Sequence, residues 1–316
     1  MSFDSPQAYD IAVVGGGGAG LTAALYGARA RRRTLVFERL ITGGQIATTE
    51  LVENFPGFPQ GINGTDFAMN LVQQVEHFGA ELRYEDVQAI NPQHGKPFRI
   101  DTREGSYEAH AVIATAGADY NKLGIPGEEE LVGRGVSYCA TCDAAFFQDE
   151  EVIVVGGGDA ACDEALFTTR YASKVWLVHR RETFRASALL QERVFANPKI
   201  EVIFNSVVQR ISGEQVVETA ELINTETGQT HILPVGAVFI FIGQTPNSHL
   251  LKGLVELDEG GHAQVDLQMC TKVPGLFVAG DLRTKAARQL VSACGDGATA
   301  ALAAEAYLAK QGIGEG

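Results

Sequence analysis

The chain has 316 residues and a formal net charge of −14, and hydrophobic residues make up 45% of it. This length is sufficient for two domains with cores of their own. The acidic balance argues against nucleic acid or an anionic membrane as a partner, and no segment reaches the roughly 18 apolar residues that a membrane span requires.

Residues 1–10 are polar and acidic and lack the apolar segment of a secretory signal. The 5 cysteines include one close pair, whereas Cys162, Cys270 and Cys294 are scattered along the chain. This distribution differs from a disulfide framework and indicates a protein of the reducing cytoplasm with one functional cysteine pair. We expect the isolated cysteines to be buried as small apolar residues.

A strand–helix–strand unit is predicted near the N-terminus. Residues 11–14 are largely β-branched, as in buried parallel strands, and an Ala-rich helix over residues 21–30 leads to a strand over residues 34–38. The intervening G-x-G-x-x-G motif consists of Gly15, Gly17 and Gly20. Such glycines let the backbone approach a pyrophosphate at a helix N-terminus.

Glu38 ends the second strand of this unit. A carboxylate at that place can bind the 2′-hydroxyl of an adenosine ribose. The first unit is therefore predicted to bind a dinucleotide whose adenosine ribose has a free 2′-hydroxyl, either FAD or NAD.

The following segments are predicted to complete the first domain. Residues 41–57 are loop-like, and residues 66–78 form an amphipathic helix. Residues 98–110 are predicted to form an antiparallel hairpin that covers the sheet, and residues 112–117 a further strand that returns to it. The segment 120–127, which contains a Pro-Gly pair, is interpreted as a linker to a second domain.

A Cys-x-x-Cys pair, Cys139 and Cys142, follows this linker and is itself followed by Asp143. Such a pair can cycle between dithiol and disulfide, and the thiolate is its reactive form. An adjacent carboxyl group can move the proton that the cycle requires. These three residues are therefore the candidate catalytic residues.

A second strand–helix–strand unit starts soon after the cysteine pair. A strand over residues 151–155 leads into a G-x-G-x-x-A motif that includes Gly158 and Ala161. A helix over residues 160–171 and a strand over residues 174–178 follow. The second unit thus repeats the pattern of the first.

The residues after this last strand distinguish the two units. His179, Arg180 and Arg181, with Arg185 nearby, stand where the first unit has Glu38. A carboxylate there would repel a 2′-phosphate, whereas arginines can hold it by bidentate charge-assisted hydrogen bonds. The second unit is therefore predicted to bind NADP.

The segments after the second unit return the chain to the first domain. Residues 201–204 and 216–223 are predicted to be strands of a small meander, and residues 237–243 a buried strand. Thr245-Pro246-Asn247 then breaks the chain and marks the crossing back.

A late strand over residues 275–281 ends in Gly280-Asp281. On spacing alone, Asp281 is either a ligand for hydroxyls of a bound cofactor or a turn residue. Residues 286–310 are Ala-rich and helical, and the main helix is predicted to start near residues 295–297, because glycines weaken a helix interior.

The order of G-x-G-x-x-G, Cys-Ala-Thr-Cys-Asp, G-x-G-x-x-Ala, His-Arg-Arg-x-x-x-Arg and a late Gly-Asp resembles that of the low-molecular-weight bacterial thioredoxin reductases. The resemblance extends from about Tyr9 to Leu308. The cysteine motif directly before the second nucleotide unit is its most specific part. Glutathione-reductase-type enzymes instead carry their pair near the N-terminus and add a dimerisation domain.

The resemblance implies an α/β fold with two Rossmann-like nucleotide-binding domains of the three-layer ββα type, the second inserted into the first. Residues 1–118 and 248–316 would form the FAD-binding domain, and residues 119–247 the NADPH-binding domain that carries the cysteine pair. It also implies a homodimer that reduces the disulfide of thioredoxin with NADPH.

The resemblance assigns cofactor contacts by matching motifs. The residues implied to contact FAD are Gly15, Gly17, Gly20, Glu38, Gly44, Gln45, Asn54, Gly280, Asp281, Arg288 and Gln289. Those implied to bind NADPH are Arg180, Arg181 and Arg185 at the 2′-phosphate, and Gly158 and Ala161 under the pyrophosphate.

The resemblance also implies roles in the reaction. Cys142 would face the flavin, Cys139 would attack the partner, and Asp143 would donate and accept the proton. One cysteine pair cannot contact the flavin and a bulky protein partner at once, so the domains are expected to rotate about residues 120–127 and 243–247.

The chain departs from the family pattern at several positions. Gly18 stands where the first glycine loop usually has Pro, and Ala144 where Gly usually follows the cysteine motif. Arg283-Thr284-Lys285 and Ala287 replace residues that are often aromatic or acidic, at a place expected to form a flavin edge or a partner surface.

Three other functions are compatible with parts of the pattern. The same relay could serve a peroxiredoxin or a glutaredoxin-like protein, because exchange chemistry does not name its partner. A flavin-dependent NADP reductase would use the same two domains without needing the cysteine pair. A nucleotide-sensing module could hold zinc through the pair, although no second Cys or His pair lies nearby in sequence.

Overall fold

The structure is a computed structural model that describes residues 8–49 and 51–313. The ends of the predicted FAD-binding domain lie outside this range. The strands are Tyr9–Val14 (β1), Thr34–Phe37 (β2), Glu81–Arg83 (β3), Val87–Gln93 (β4), Lys96–Thr102 (β5), Ser106–Ala114 (β6), Ala118–Tyr120 (β7), Val136–Ser137 (β8), Glu151–Gly156 (β9), Lys174–Val178 (β10), Ile200–Ile203 (β11), Ser206–Ser212 (β12), Thr219–Asn224 (β13), Thr230–Pro234 (β14), Ala237–Phe241 (β15), Gln244–Pro246 (β16) and Leu276–Val278 (β17). The α-helices are Gly18–Arg29 (α1), Gly64–His77 (α2), Ala140–Asp143 (α3), Asp159–Thr168 (α4), Ala188–Ala196 (α5) and Leu290–Lys310 (α6).

The chain divides into two compact units. Unit 1 consists of Met1–Asp119 and Thr245–Gly316, and unit 2 consists of Tyr120–Gln244. Each unit combines a sheet that contains parallel strands with helices, so the predicted α/β fold with two Rossmann-like units is confirmed.

The sheet of unit 1 is organised around β6. The strand order is β3-β2-β1-β6-β5-β4, and β17 also pairs with β6. β1 and β17 run parallel to β6, whereas β5 runs antiparallel to it. The prediction of separate strands before and after residue 111 is wrong, because β6 is continuous. The first half of β6, beside β5, mixes exposed and buried residues. The second half, beside β1 and β17, is buried.

Two cores cover the faces of this sheet. One core packs α1, α2 and α6 against the side chains of Ile11, Val36 and Ile113. The other packs the opposite face, including Phe37 and Val112, against apolar residues of the β4–β5 hairpin and of the segment around Leu251. The carboxyl ends of β1, β2, β6 and β17 remain together, because each pairs in register with its parallel neighbour.

The last helix differs from its predicted start. α6 begins at Leu290, well before the predicted start near residues 295–297, so Gly295 and Gly297 lie inside it. A Cβ atom on Gly297 would lie 2.0 Å from the carbonyl oxygen of Ala19 in α1. Close packing of α6 against α1 therefore explains a glycine that would otherwise weaken the helix.

Unit 2 contains a parallel five-stranded sheet with the order β11-β10-β9-β15-β8. β11 was predicted to belong to a meander, but it pairs in parallel with β10 and extends this sheet. The meander consists of β12, β13 and β14. One face of the parallel sheet packs against the helices of unit 2 and the other against the meander, which gives the unit three layers.

The isolated cysteines are less uniformly buried than expected. Cys162 is buried, whereas Cys270 and Cys294 are partly exposed. Within residues 8–49 and 51–313, we find no helix with the length and apolar character that crossing a bilayer demands.

Candidate active site

The cysteine pair lies at the carboxyl edge of the parallel sheet of unit 2. The edge strand β8 ends at Ser137, and the one-turn helix α3 follows Cys139. Cys139 and Cys142 are joined by a disulfide bond. The carbonyl oxygen of Cys139 accepts hydrogen bonds from the backbone N–H groups of Cys142 at 3.3 Å and Asp143 at 3.1 Å. The turn therefore holds the three candidate catalytic residues together.

Asp143 is a partly buried carboxyl group beside this disulfide. The hydroxyl of Ser137 lies 2.5 Å from Asp143 Oδ2. Burial raises the pKa of Asp143, and the hydrogen bond with Ser137 opposes this effect. A raised pKa favours the protonated acid nearer neutral pH, which suits a group that donates a proton to a thiolate. Ser137 was not predicted from the sequence, because no motif marks a serine two residues before a Cys-x-x-Cys pair.

The second glycine motif lies at the same edge of the unit 2 sheet. Gly158 is the N-cap of α4, and the space where its Cβ would lie is open to 4 Å. Ala161 is fully buried, and a Cβ on Gly156 would lie 2.5 Å from its side chain. The backbone at Gly158 is thus accessible to a phosphate group at a helix N-terminus, while Ala161 packs beneath the loop.

Three arginines follow β10 at this edge. Arg180, Arg181 and Arg185 are exposed, and the backbone N–H of Arg185 donates to the carbonyl oxygen of Gly157 at 2.8 Å. None of the three forms an ion pair within the described part of the chain. The three guanidinium groups of this cluster are therefore exposed beside the glycine loop and available to an anionic phosphate.

The residue that follows the second strand packs against the middle glycine of the loop in both units. A Cβ on Gly16 would lie 3.1 Å from Glu38, and a Cβ on Gly157 would lie 2.2 Å from the imidazole of His179. Burial lowers the pKa of His179, with smaller contributions from neighbouring arginines. The correspondence between Glu38 and His179 that the sequence indicated is therefore present in the geometry.

In unit 1, the first glycine motif forms a tight turn between β1 and α1. Gly15 has a φ of 114°, which favours glycine, and a Cβ on Gly20 would lie 1.8 Å from the carbonyl oxygen of Gly15. The surroundings of Gly17 are open to 4 Å. The Glu38 carboxylate accepts backbone hydrogen bonds from Gly16 at 2.8 Å and Leu40 at 2.9 Å. It therefore both fixes the loop and offers its remaining acceptor sites beside it.

Asp281 lies just after β17, following Gly280, which has a φ of 74°. Its Oδ1 atom is buried and has no hydrogen-bond partner among the described residues. Burial raises the pKa of Asp281, and so does the like charge of Asp296, whereas the nearby charges of Arg288, Arg283 and His262 lower it. An unsatisfied buried oxygen at this edge fits a hydroxyl-bearing ligand, because a ligand donor would remove the cost of burial.

His262 is a polar side chain near Asp281 that the sequence did not single out. Its Nε2 atom is also buried without a hydrogen-bond partner in the described residues, while its Nδ1 lies 3.4 Å from Asp258 Oδ1. The backbone N–H of Ala263 donates to the carbonyl oxygen of Leu282 at 2.9 Å, which aligns this segment with the one that carries Asp281.

Among the remaining predicted FAD contacts of unit 1, two side chains donate hydrogen bonds and two residues have a positive φ. Asn54 Nδ2 donates to Gln289 Oε1 at 3.0 Å, and Gln45 Nε2 donates to the carbonyl oxygen of Ala118 at 2.6 Å. The φ values of Gly44 and Arg288 are 58° and 56°, and Arg288 is exposed.

The residues present fit two dinucleotides. Unit 1 combines a glycine turn at a helix N-terminus, a carboxylate after β2 and the unsatisfied Asp281 oxygen, which suits a hydroxyl-rich dinucleotide such as FAD. Unit 2 combines a second glycine turn with three exposed guanidinium groups, which suit a nucleotide with a 2′-phosphate.

Known proteins are similar to this chain over nearly its whole length. The pyridine nucleotide-disulphide oxidoreductase family matches residues 9–298. Thioredoxin reductase of Treponema pallidum is 45% identical over 300 residues, covering 95% of this chain and 97% of the relative. Thioredoxin reductase of Bacillus subtilis is 45% identical over 303 residues and covers 95% of each chain.

A solved structure agrees with these relatives. Thioredoxin reductase from Streptococcus pyogenes superimposes with a TM-score of 0.92 at 42% identity, over 97% of this chain and 100% of the other. The chain is therefore a member of the pyridine nucleotide-disulphide oxidoreductase family and, within it, of the thioredoxin reductases.

Proposed function

We propose that the protein is an NADPH-dependent thioredoxin-disulfide reductase that uses FAD. The observation that carries this proposal is the Cys139–Cys142 disulfide with the Asp143 carboxyl in the same turn, in a chain that is 45% identical to thioredoxin reductases. When bound, FAD would supply a two-electron carrier between NADPH and the disulfide. The protein provides the binding sites, the sulfur pair and the proton.

The binding sites follow from the two loops. In unit 1, Gly15, Gly17 and Gly20 would lie under the FAD pyrophosphate. The other proposed FAD contacts are Glu38, Gly44, Gln45, Asn54, Gly280, Asp281, Arg288 and Gln289. In unit 2, Gly158 and Ala161 would lie under the NADPH pyrophosphate, and the proposed contacts of the 2′-phosphate are Arg180, Arg181 and Arg185.

The chemistry of the cysteines is disulfide exchange. Reduction breaks the Cys139–Cys142 bond and adds two electrons and two protons, which gives a dithiol. Cys139 passes its proton to Asp143 and attacks one sulfur of the partner disulfide, and the released partner thiolate takes that proton from Asp143. Cys142 then passes its proton along the same route and attacks Cys139, which restores the disulfide and releases the reduced partner.

Two further features complete the proposal. The relay requires rotation about residues 120–127 and 243–247, because one sulfur pair must serve both the flavin and a bulky partner.

We also propose a cytoplasmic homodimer, which the cysteine usage and the resemblance to thioredoxin reductases support. Light scattering of the purified protein measures the oligomeric state.

The test is steady-state oxidation of NADPH with thioredoxin disulfide as acceptor. Cys139→Ser and Cys142→Ser should each abolish turnover, whereas Cys270→Ser, which changes a free and partly exposed cysteine, should retain it. An unchanged rate for Cys142→Ser would exclude the relay. Oxidised peroxiredoxin and a glutaredoxin-like protein, used as alternative acceptors, identify the partner by the ratio of kcat/KM values.

The same variants test the alternative of a flavin-dependent NADP reductase. That activity would survive both serine substitutions with a small-molecule electron acceptor. A zinc-binding role for the cysteine pair does not account for the disulfide bond between its sulfurs.

A further inference from the structure

Ser137 places one hydroxyl group between the acid and the backbone of the attacking cysteine. Its Oγ atom lies 2.5 Å from Asp143 Oδ2, 3.1 Å from the backbone nitrogen of Cys139 and 3.3 Å from the carbonyl oxygen of Cys139. The residue ends β8 and is 5% exposed, so water does not compete freely for these contacts.

The protons available to Ser137 and Asp143 decide which of the three contacts of Ser137 Oγ can be hydrogen bonds at the same time. The Cys139 N–H donates to Ser137 Oγ, which leaves the hydroxyl one proton of its own and two acceptors within reach. When Asp143 is ionised it can only accept, so the hydroxyl donates to Oδ2 of this partly buried carboxylate. When Asp143 is protonated, its own O–H can donate to Ser137 Oγ, and the serine proton can turn to the Cys139 carbonyl.

We propose that Ser137 is a positioning residue that rotates its hydroxyl each time Asp143 gains or loses a proton, and so sets the proton affinity of Asp143. The proposal rests on the function proposed above for Asp143 as the proton donor. In both protonation states, every proton of the set has an acceptor. The acid can therefore exchange its proton with a thiol without leaving a buried polar group unsatisfied.

The rotation also involves the turn that carries both sulfurs. The Cys139 carbonyl oxygen that accepts the hydrogen bond of the serine hydroxyl also accepts hydrogen bonds from the backbone N–H groups of Cys142 and Asp143. Protonation of Asp143 thus adds a donor to the oxygen that closes this turn, and ionisation removes it. The ionisation state of the acid is thereby coupled to the peptide group of Cys139.

The surroundings of Asp143 leave Ser137 as its main polar partner. Burial and Ser137 are the causes of the shifted pKa of Asp143, with opposite signs. The titratable groups of its own turn are Cys139 and Cys142, which are joined in a disulfide. The acidic groups of α4, the helix that packs against α3, are Asp159, Asp163 and Glu164, and none of them contributes to this shift.

The test measures the protonation of Asp143 directly, by the infrared C=O stretch of the protonated acid as a function of pH in the oxidised protein. The difference from Asp143→Asn isolates the signal. Ser137→Ala removes the donor to the carboxylate, and we expect the titration to move upward by about one pH unit. Ser137→Thr keeps a hydroxyl and should titrate like the wild type.

The control is Ser206→Ala, which removes another buried serine hydroxyl of unit 2 that donates to the Phe204 carbonyl at 2.9 Å. It should leave the Asp143 titration unchanged. If Ser137→Ala does not fold, Ser137→Gly replaces it with the same expected shift. A titration that stays in place in the folded Ser137 variant, or moves equally in the Ser206 variant, overturns the inference.

The infrared titration tests the link between Ser137 and Asp143, whereas the turnover assay tests the role of Asp143 as the proton donor. If Asp143→Asn reduces thioredoxin at the wild-type rate, the proposed proton donor is wrong, and the infrared shift still decides the link between Ser137 and Asp143. If both hold, the alkaline limb of the kcat profile of Ser137→Ala should move upward with the titration, which a loss of packing alone would not produce.

Discussion

Arg283 and Asp296 form a bidentate ion pair inside unit 1, with Nε 2.7 Å from Oδ2 and Nη2 2.9 Å from Oδ1. The side chains are only 17% and 10% exposed, and the backbone N–H of Gly280 donates to Asp296 Oδ2 at 3.2 Å. The pair therefore joins α6 to the segment that carries Asp281. Arg283 was expected at a flavin edge or a partner surface, and in the structure its side chain pairs with Asp296 within unit 1.

Removing the charge of Asp296 should destabilise the protein. Asp296→Asn removes the ion-pair partner of the largely buried Arg283, and we expect the free energy of unfolding to fall by about 3 kcal/mol. Urea denaturation followed by circular dichroism measures it. Asp101→Asn, which breaks the more exposed pair with Arg99, is the control and should cost less than about 1 kcal/mol. Equal losses in the two variants would contradict the structural role of Asp296.

Two glycines of α6 should respond in opposite directions to the same substitution. Gly297→Ala places a methyl group 2.0 Å from the Ala19 carbonyl oxygen, so α1 and α6 must separate and stability should fall by about 1–3 kcal/mol. Gly295→Ala meets open space and should raise stability by about 0.5–1 kcal/mol. Thermal unfolding of the two variants gives the comparison. A stabilised Gly297 variant would show that the helices are not closely packed there.

The stability contributed by Asp143 should depend on pH. Burial raises its pKa in the folded protein above the ordinary value near 4, so the folded state binds the proton more tightly than the unfolded chain. Its contribution is fully present below about pH 4 and is lost as the pH rises through the raised pKa. The unfolding free energy of the oxidised wild type should therefore fall relative to Asp143→Asn over this window. A difference that grows in the opposite sense would refute the raised pKa.

The arginines after β10 should set the preference between nicotinamide cofactors. The double variant Arg180→Ala/Arg181→Ala should lower the ratio of kcat/KM for NADPH over NADH by at least about tenfold, mainly through the KM for NADPH, because charge-assisted contacts to phosphate are lost. Arg193→Ala removes an exposed arginine of α5 in the same unit and is the matched control. An unchanged ratio in the double variant would disprove the assignment.

Local patterns were sufficient to predict the strand–helix–strand units. Runs of β-branched residues followed by glycines predicted β1 and β9 and the turns after them. Such a turn is predictable because its geometry depends on the residues within it. The comparison of Glu38 with His179 also needed only spacing, and both side chains do pack against the middle glycine of their loop.

Features that depend on contacts made only in the folded chain were not predictable. The start of α6 was placed too late, because the penalty of Gly297 is offset by packing against α1. The roles of Ser137 and Arg283 depend on partners that the fold brings near, Asp143 and Asp296. Single polar residues carry no periodicity, so only the structure identifies their contacts.

The position of β6 has a consequence for biosynthesis. β17 and α6, which complete the sheet and core of unit 1 around β6, leave the ribosome only after all of unit 2. Unit 2 is contiguous and can fold while translation continues. The edge of β6 that β17 will occupy stays uncovered throughout that time, so the nascent chain is expected to be most prone to aggregation before its C-terminal segment emerges.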